Sequence, residues 1–600
     1  MLTRAENAVS LAALAAMVLL ALTEIAGRAL FQVGVPGSIV LVQHLTLWVA
    51  LLGAALAARS DRLLALATPH FLPERWRNPT RVATAIVATA IVATLTIASL
   101  DLLAIERRTD AVVAWGIPMW VVLTVLPAAF GVIAVRLIWT AATTRRWRLV
   151  AAAGLVLPAV YATWLTPSIA LLPSGIVIVV ATALGLPLFT AIGGAALLLF
   201  WSDATPINAV PGEAYRLTTS PMLAAIPLFA LGGYVLAAGQ ASQRLTRLCT
   251  ALVGWMPGGL AIVVVLVLAF FTPLTGASGV TILSMGGLLL PVLVGSKYRA
   301  PTSIGLVTVS GSIGLLFFPS LPVFLYAFYA NVPFERIFVG GLLPGVLLMA
   351  VVAGWAAVRG PVPGALRTSF RPREAALAAW DAKWELLLPV VVLATFVAGL
   401  TTLVESAAIA VLYVIVVECA VLRELSVRRD LPRVGIECAT LIGGFMILLC
   451  VALGFTNYLV LTEVPARLLE WAQRYIESAV VFLLVLNVLL IAVGALMDIY
   501  SAIIIVVPLI LPLAAAFGVD PTHLAIIFLA NMELGYLMPP MGENLFLSAY
   551  RFDQPLLRIY RYTLPYTVLL LIAVLIITYV PDLTLWLVTL LEQRGYLGVT

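Results

Sequence analysis

Uncharged, mostly apolar stretches long enough to cross a bilayer recur along this chain from one end to the other. Val82–Leu100, Ile176–Phe200 and Tyr562–Val580 are examples. A stretch of about 20 such residues is the length a membrane helix needs. Of the 600 residues, 63% are hydrophobic and 10% charged, against roughly a quarter charged in a soluble domain. No soluble domain of any size fits between the apolar runs. The expected fold is therefore an all-α polytopic membrane protein. The apolar run Val9–Leu22 continues through Glu24 and Arg28 without a convincing cleavage site, so it is expected to be a retained span rather than a removed signal peptide. The formal charge of +6 reflects arginines gathered in cytoplasmic loops and does not point to a nucleic-acid partner. Cys249, Cys419, Cys438 and Cys450 lie in or beside apolar stretches without metal-ligand spacing, as small packing residues do.

Charge divides the chain into two parts. Spans are expected near 8–27, 38–57, 82–104 and 114–140. Arg59, Arg62, Arg75, Arg77 and Arg81 follow the second span, and Arg145, Arg146 and Arg148 follow the fourth. Positive-inside counting puts both ends of this four-span unit, residues 1–146, in the cytoplasm. The Pro-interrupted run Leu149–Leu165 lies in a connecting segment, 147–173, that carries the chain to the outer side. The larger part, 174–600, has basic loops at Arg359–Lys383 and Arg423–Arg433, both expected to be cytoplasmic.

Within the larger part, two pairs of Gly/Pro-broken segments stand out. The first joins Thr275-Gly276-Ala277-Ser278-Gly279 to Gly311-Ser312-Ile313-Gly314 and Pro319-Ser320-Leu321-Pro322. The second joins Gly494-Ala495-Leu496-Met497-Asp498 and Ser501 to Gly535-Tyr536-Leu537-Met538-Pro539-Pro540-Met541-Gly542. Gly276 precedes Gly314 by 38 residues and Gly494 precedes Gly535 by 41. Matched interruptions in two halves point to the binding site of a carrier. Lipid cannot satisfy freed backbone N–H and C=O groups, so a broken helix must be packed in protein or line a wet cavity. Carbonyls at a break suit a hard cation, and amides at a half-helix N-terminus suit a carboxylate. Ser278, Ser312, Ser320 and Ser501 add hydroxyl oxygens. The alternative use of such small residues is close helix packing. The oxygens are mostly neutral and the first tip has no titratable residue. A Na⁺ ion near Gly276, Ser278 and Gly314, and another near Gly494, Asp498 and Gly535, fit better than a divalent ion or a proton at each tip.

These residues resemble the large membrane subunit of the TRAP (tripartite ATP-independent periplasmic) transporters over about 174–590. The resemblance is carried by Gly185-Leu186-Pro187, Ile226-Pro227-Leu228-Phe229 with Gly232-Gly233, and Phe271 through Thr281. It continues through Ser312-Ile313-Gly314 with Pro319-Ser320, and Phe338 to Gly345. Thr402-Leu403-Val404-Glu405-Ser406-Ala407-Ala408, Met497-Asp498, and Pro539-Pro540 with Gly542 and Asn544-Leu545-Phe546 complete it. Residues 1–146 resemble the small four-span subunit through Trp48–Arg59 and Arg28. Departures are Thr275-Gly276-Ala277-Ser278 where many relatives have Ser-Gly-Ser-Ser, Leu403 in place of Pro, and Glu543 beside the Pro-Pro break.

The resemblance implies a fused permease in the bacterial inner membrane, with an inverted-repeat, elevator-type transport domain containing two re-entrant hairpins and two broken helices. It implies import of a small organic acid, a carboxylate, driven by sodium and delivered by a periplasmic solute-binding protein. Membrane lipid and a monomeric state are further expectations, with no cofactor besides Na⁺. Thr275, Gly276, Ser278, Ser312, Gly314, Pro319, Ser320, Gly494, Asp498, Ser501, Gly535, Pro539, Pro540 and Asn544 form the expected substrate and ion region. The competing readings are an ion-coupled organic-anion carrier needing no binding protein, which residues 1–146 argue against, and a non-transport subunit of a membrane complex.

Ionisable residues inside a membrane are functional candidates. Asp498 is an ion-site candidate or a satisfied helix-end carboxylate. Glu405 is expected to cap a helix N-terminus. Glu533 either lines the cavity or pairs with an arginine. Glu24 and Arg28, one turn apart, are expected to pair with each other or make a subunit contact. His44, His70 and His523 lack metal spacing. No Walker A, zinc-hydrolase or Gly-x-Ser-x-Gly pattern supports an enzyme.

Overall fold

Two sets of interrupted helices form the frame on which the candidate residues sit. They were traced in a computed structural model that describes residues 2–65, 73–142, 144–164, 167–216, 220–256, 258–276, 278–360, 370–397, 400–476, 478–539 and 542–595. Among these residues the protein is helical, and β structure is limited to two isolated bridges. Ten helices are long and apolar enough to cross a membrane, or up to twelve if each of two bent pairs is one span. The chain divides into two compact units, and each is continuous only in space. One comprises Met1–Leu228, Leu403–Ala408 and Arg428–Pro465, and the other the remainder. This division does not follow the sequence boundary near 146–174.

In the first unit, the expected four spans are the helices Leu2–Phe31, Ser38–Arg59, Glu74–Glu106 and the pair Met119–Leu123 and Val125–Ala141. Ser38–Arg59 packs on the long helix Asp430–Leu461 so closely that a Cβ on Gly443 would lie 1.9 Å from the Gly53 carbonyl carbon. Without a hydrophobic drive inside lipid, small residues that let backbones touch are the main source of helix association. Gly53 and Gly443 do this here. The connecting segment is broken as its proline suggests, into Arg145–Ala152, a tight turn Ala153–Leu155, and Leu157–Trp164.

Polar contacts fix the same unit. Arg59 and Arg136 share the Glu6 carboxylate at 3.4 and 2.5 Å. Glu24 and Arg28 do not pair. Glu24 accepts hydrogen bonds from the Val35 amide (2.7 Å) and the Ser38 hydroxyl (2.6 Å), which leaves Arg28 to reach the buried Glu405 at 2.6 Å. Their contact joins the four-span segment to the larger part of the chain. Glu405 lies in the first turn of Leu403–Ile415, as expected of an N-terminal carboxylate.

The second unit contains the interrupted segments. The helices Gly259–Thr275 and Ser278–Gly295 flank the first tip. Ala300–Ile313, the turn Gly314–Leu316 and Leu321–Ala330 form the first broken helix, bent by 43°. Ala479–Leu496 and Ile499–Ala516 flank the second tip, and Pro521–Gly535 and Glu543–Arg551 the second break. Pro221–Ala238 turns by 73° into the amphipathic helix Ala241–Val253. At that bend Arg244 meets three carboxylates: Glu385 at 2.5 Å, Glu418 at 3.3 Å, and Glu424. None of the four cysteines is in a disulfide among the described residues.

Candidate functional site

The first tip is built around a residue that only glycine suits. Gly276 ends Gly259–Thr275 in the left-handed region, at φ 72°, and its amide bonds the Thr272 carbonyl at 3.0 Å. A Cβ there would lie 2.5 Å from the Leu321 side chain. Thr275 shares a 2.7 Å hydroxyl contact with Thr281 across the tip. One turn earlier, the Thr272 hydroxyl donates to the Gly311 carbonyl at 2.9 Å, tying the tip to the first broken helix. Gly314 makes the same crossing possible, since its Cβ would fall 2.6 Å from Thr272 and 2.7 Å from the Ala269 carbonyl oxygen. The structure thus brings Thr275, Gly276, Ser278, Ser312 and Gly314 to one crossing. Ser312 is buried, its hydroxyl 3.4 Å from the Val309 carbonyl. Ser320 caps Leu321–Ala330 by position, and its buried hydroxyl has no hydrogen-bond partner among the described residues.

The second tip is held differently. Asp498 is the N-cap of Ile499–Ala516, its carboxylate accepting from the Tyr500 and Ser501 amides at 3.0 and 3.1 Å and from the Ser501 hydroxyl at 2.5 Å. These bonds satisfy its carboxylate at the helix end. Gly494 packs directly on Gly535, whose Cβ would lie 2.6 Å from the Gly494 Cα. The Ile499 amide donates to the Tyr536 hydroxyl at 2.7 Å, joining tip to broken helix. Pro539 lies in the break. Pro540 falls outside the described residues, as do His70 and Ala277. Asn544 is fully buried, with its amide 3.5 Å from the Thr308 carbonyl and its side-chain oxygen without a partner among the described residues.

The two interrupted pairs meet. The Tyr500 hydroxyl, from the second tip, donates to the Gly276 carbonyl in the first. Glu543, which opens the helix after the second break, has a carboxylate oxygen 3.1 Å from where a Gly279 Cβ would be. Sequence reasoning missed Tyr500 and Tyr536. Their signal was position alone, two residues after Asp498 and directly after Gly535. Beside the first break lies an apolar cavity of about 280 Å³, lined by Phe229, Gly232, Gly233, Phe318, Pro319 and Pro389 among others. Among the described residues no cluster of His, Cys, Asp and Glu is arranged to hold a metal through such ligands. His44 bonds the Tyr215 hydroxyl at 3.0 Å and His523 the Thr578 carbonyl at 3.1 Å, both as packing contacts.

Paired interrupted helices crossing at glycines, with ten or more membrane-length helices among the described residues, define a membrane transport protein. Family comparison makes this specific. Residues 176–583 match the family described as tripartite ATP-independent periplasmic transporter, DctM component, and residues 17–149 match the DctQ component of the same transporters. The chain belongs to the TRAP transporter family, as a fused small and large permease, and is a multi-pass inner-membrane protein and not an enzyme.

It is 32% identical over 485 residues to the isethionate TRAP transporter permease protein DctMQ of Oleidesulfovibrio alaskensis, covering 78% of this chain and 75% of that one. It is 33% identical over 397 residues to the C4-dicarboxylate TRAP transporter large permease protein DctM of Pseudomonas aeruginosa, covering 66% and 92%. Among solved structures, the Alcanivorax borkumensis YdaH transporter aligns over 69% of this chain and 98% of that one, at 16% identity and a TM-score of 0.47.

Proposed function

We propose that this permease imports a small organic acid on the sodium gradient, receiving it from a periplasmic solute-binding protein and moving it by an elevator motion of a transport domain within residues 174–600. Residues 1–146 then act as the small subunit and 147–173 as the link. The observation that carries this reading is the convergence of both tips and both breaks, where the Tyr500 hydroxyl meets the Gly276 carbonyl. The carbonyls of Gly276 and Gly314, at the tip and the break, with the hydroxyls of Ser278 and Ser312 form one cation region. Gly494, Gly535, Asp498 and Ser501 form the other. Such mostly neutral, oxygen-rich surroundings suit a dehydrated Na⁺.

The substrate class rests on the relatives. Isethionate and C4-dicarboxylates are small organic acids that are anionic at neutral pH, and a carboxylate is the member favoured for this chain. Amides freed at Ser278 and Glu543, each at the start of a helix, suit the anionic group. The match of residues 17–149 to the small subunit favours a binding-protein-dependent carrier over one that works alone.

The test is uptake by the full chain in proteoliposomes, against sodium concentration at fixed pH and voltage. A periplasmic binding protein loaded with a labelled C4-dicarboxylate or isethionate is supplied outside. Uptake should require both the binding protein and sodium, and Ser278→Ala should weaken the sodium dependence. Undiminished uptake with choline in place of sodium, driven by a proton gradient, refutes the sodium assignment. Full uptake without any binding protein refutes the partnership.

A further inference from the structure

Where Pro221–Ala238 ends, the chain turns by 73° into Ala241–Val253. This second helix therefore runs nearly along the surface of a membrane that the first one enters. Its two faces differ. Ala241, Ser242, Leu245 and Leu248 are buried against the protein. Gln243, Thr246, Arg247 and Thr250, spaced i, i+3, i+4 and i+7, form a polar stripe on the opposite face. That stripe lines a cavity of about 440 Å³. Apolar Leu288 and Val292 of Ser278–Gly295 line it too, as do Arg371 and Glu374 at the start of Pro372–Asp381. All of these residues lie in the second unit.

The lining describes its ligand. Its charged groups are two arginines and one carboxylate, an excess of positive charge. Arg244 and the three carboxylates that hold it do not line the cavity. Arg247 pairs with Asp381 and Arg371 with Glu374, both at 2.8 Å. No side chain of these two pairs is less than 43% exposed, and pairs so open to water hold weakly. Each guanidinium has five N–H donors, more than one carboxylate engages, so both can also serve an arriving anion. The Thr246 and Thr250 hydroxyls donate to carbonyls of their own helix, which leaves the arginines and the Gln243 amide as donors. The surrounding residues mark a membrane interface. Trp255 packs on Phe370 at 5.8 Å, the Lys383 ammonium lies 3.6 Å over Trp380, and all three rings are exposed. Exposed tryptophans beside basic residues sit at headgroup level. The basic stretch 359–383 is expected on the cytoplasmic side, where the leaflet surface is anionic.

We infer that this cavity binds one anionic phospholipid of the cytoplasmic leaflet, with its phosphate on Arg247 and Arg371 and an acyl chain along Leu288 and Val292. The planar fork of arginine gives a phosphate two parallel N–H bonds. A zwitterionic lipid brings its own cation and leaves the excess arginine charge unmet. A small organic acid would meet the arginines but leave the apolar lining bare. An anionic amphiphile satisfies both. Ser278–Gly295 begins at the first tip, so the lipid would join the surface helix to one arm of that tip. This site is independent of the sodium reading, because it concerns a bound lipid and not the ion that drives uptake.

The experiment uses the full chain, stripped of lipid in detergent, and a phosphatidylglycerol with a photoreactive diazirine in its acyl chain. Labelled positions are mapped by peptide mass and are expected within 243–251 or 288–292. Unlabelled phosphatidylglycerol should compete. Phosphatidylcholine of the same chains, inorganic phosphate and the deacylated headgroup glycerophosphoglycerol should each compete about tenfold more weakly or less. Arg247→Gln combined with Arg371→Gln should weaken labelling by about tenfold, since each basic side chain near the surface adds to the attraction. Arg428→Gln combined with Arg429→Gln, an exposed basic pair outside the cavity, should leave labelling unchanged. Equal competition by phosphatidylcholine overturns the proposal, because charge is then not recognised. Equal competition by phosphate or glycerophosphoglycerol also overturns it, by making this a small-anion site. Labelling of wild type confined to other segments overturns it however the variants fold.

Discussion

Substituting alanine for Gly535 separates a packing role for the glycine crossing from a purely chemical one. The added Cβ would lie 2.6 Å from the Gly494 Cα and 2.7 Å from the Gly494 carbonyl carbon, closer than the 3.0 Å that real Cβ atoms respect. Both neighbours are backbone, so relief requires Ala479–Leu496 and Pro521–Gly535 to separate. Overpacking of this kind costs about 1–3 kcal/mol. Gly535 is in a helical conformation, so alanine also recovers about 1 kcal/mol of helix propensity. The net expected destabilisation is about 0–2 kcal/mol. The protein should therefore fold while the crossing beside the Tyr536–Ile499 bond is displaced. Gly354→Ala, in a helix where nothing lies within 4 Å of the new atom, should be neutral or stabilising. Gly494→Ala, whose nearest contact would be 3.1 Å, should fall between. The assays are apparent unfolding temperature in detergent and binding-protein-dependent uptake in proteoliposomes. Gly535→Ala should lose most uptake, Gly494→Ala some, and Gly354→Ala none. Wild-type uptake and stability in Gly535→Ala, or a worse effect at Gly494, would refute the close-contact reasoning.

Three further outcomes are expected. Tyr500→Phe removes the donor to the buried Gly276 carbonyl, and should cost about 1–3 kcal/mol of stability and alter the sodium dependence of uptake, read by the same two assays. Arg28→Ala leaves Glu405 buried without its arginine; since Arg28 is half exposed, the loss should fall below the about 3–5 kcal/mol of a fully buried pair, and Glu405→Gln in the same chain should recover part of it in thermal unfolding. Cysteines introduced in the basic stretches 59–81, 145–148, 359–383 and 423–433 should resist an impermeant thiol reagent added from the periplasmic side, and strong labelling of any one would overturn the charge-derived topology.

Much of the fold was legible because lipid imposes one simple rule, that spans must be apolar and helical. The four N-terminal spans and the interruption around Pro158 follow from run length and proline alone. The interrupted pairs were legible because Gly and Pro mark breaks directly. What the sequence hid were contacts between residues far apart in the chain. Glu24 and Arg28 sit at pairing distance on one helix face, yet the loop returning through Val35 and Ser38 satisfies Glu24 first. Arg244 and its three carboxylates span residues 244–424 and carry no local pattern. Tyr500 and Tyr536 read as ordinary aromatic residues, because only the folded crossing shows which backbone group each hydroxyl reaches.

The polar groups at the meeting point also bear on how ion binding and motion are linked. The Gly276 carbonyl, an expected cation ligand, already accepts from Tyr500, and the Asp498 carboxylate already satisfies two amides and a hydroxyl of its own helix. On the sodium reading, a cation drawn to either oxygen competes with the bonds it already accepts. At the first tip the bond it competes with is the one from Tyr500. Because Tyr500 belongs to the second tip, releasing it loosens one interrupted pair from the other. Ion arrival at the first tip would then be felt at the second through a single hydrogen bond. A two-state contact of this kind is what coupling between sites requires.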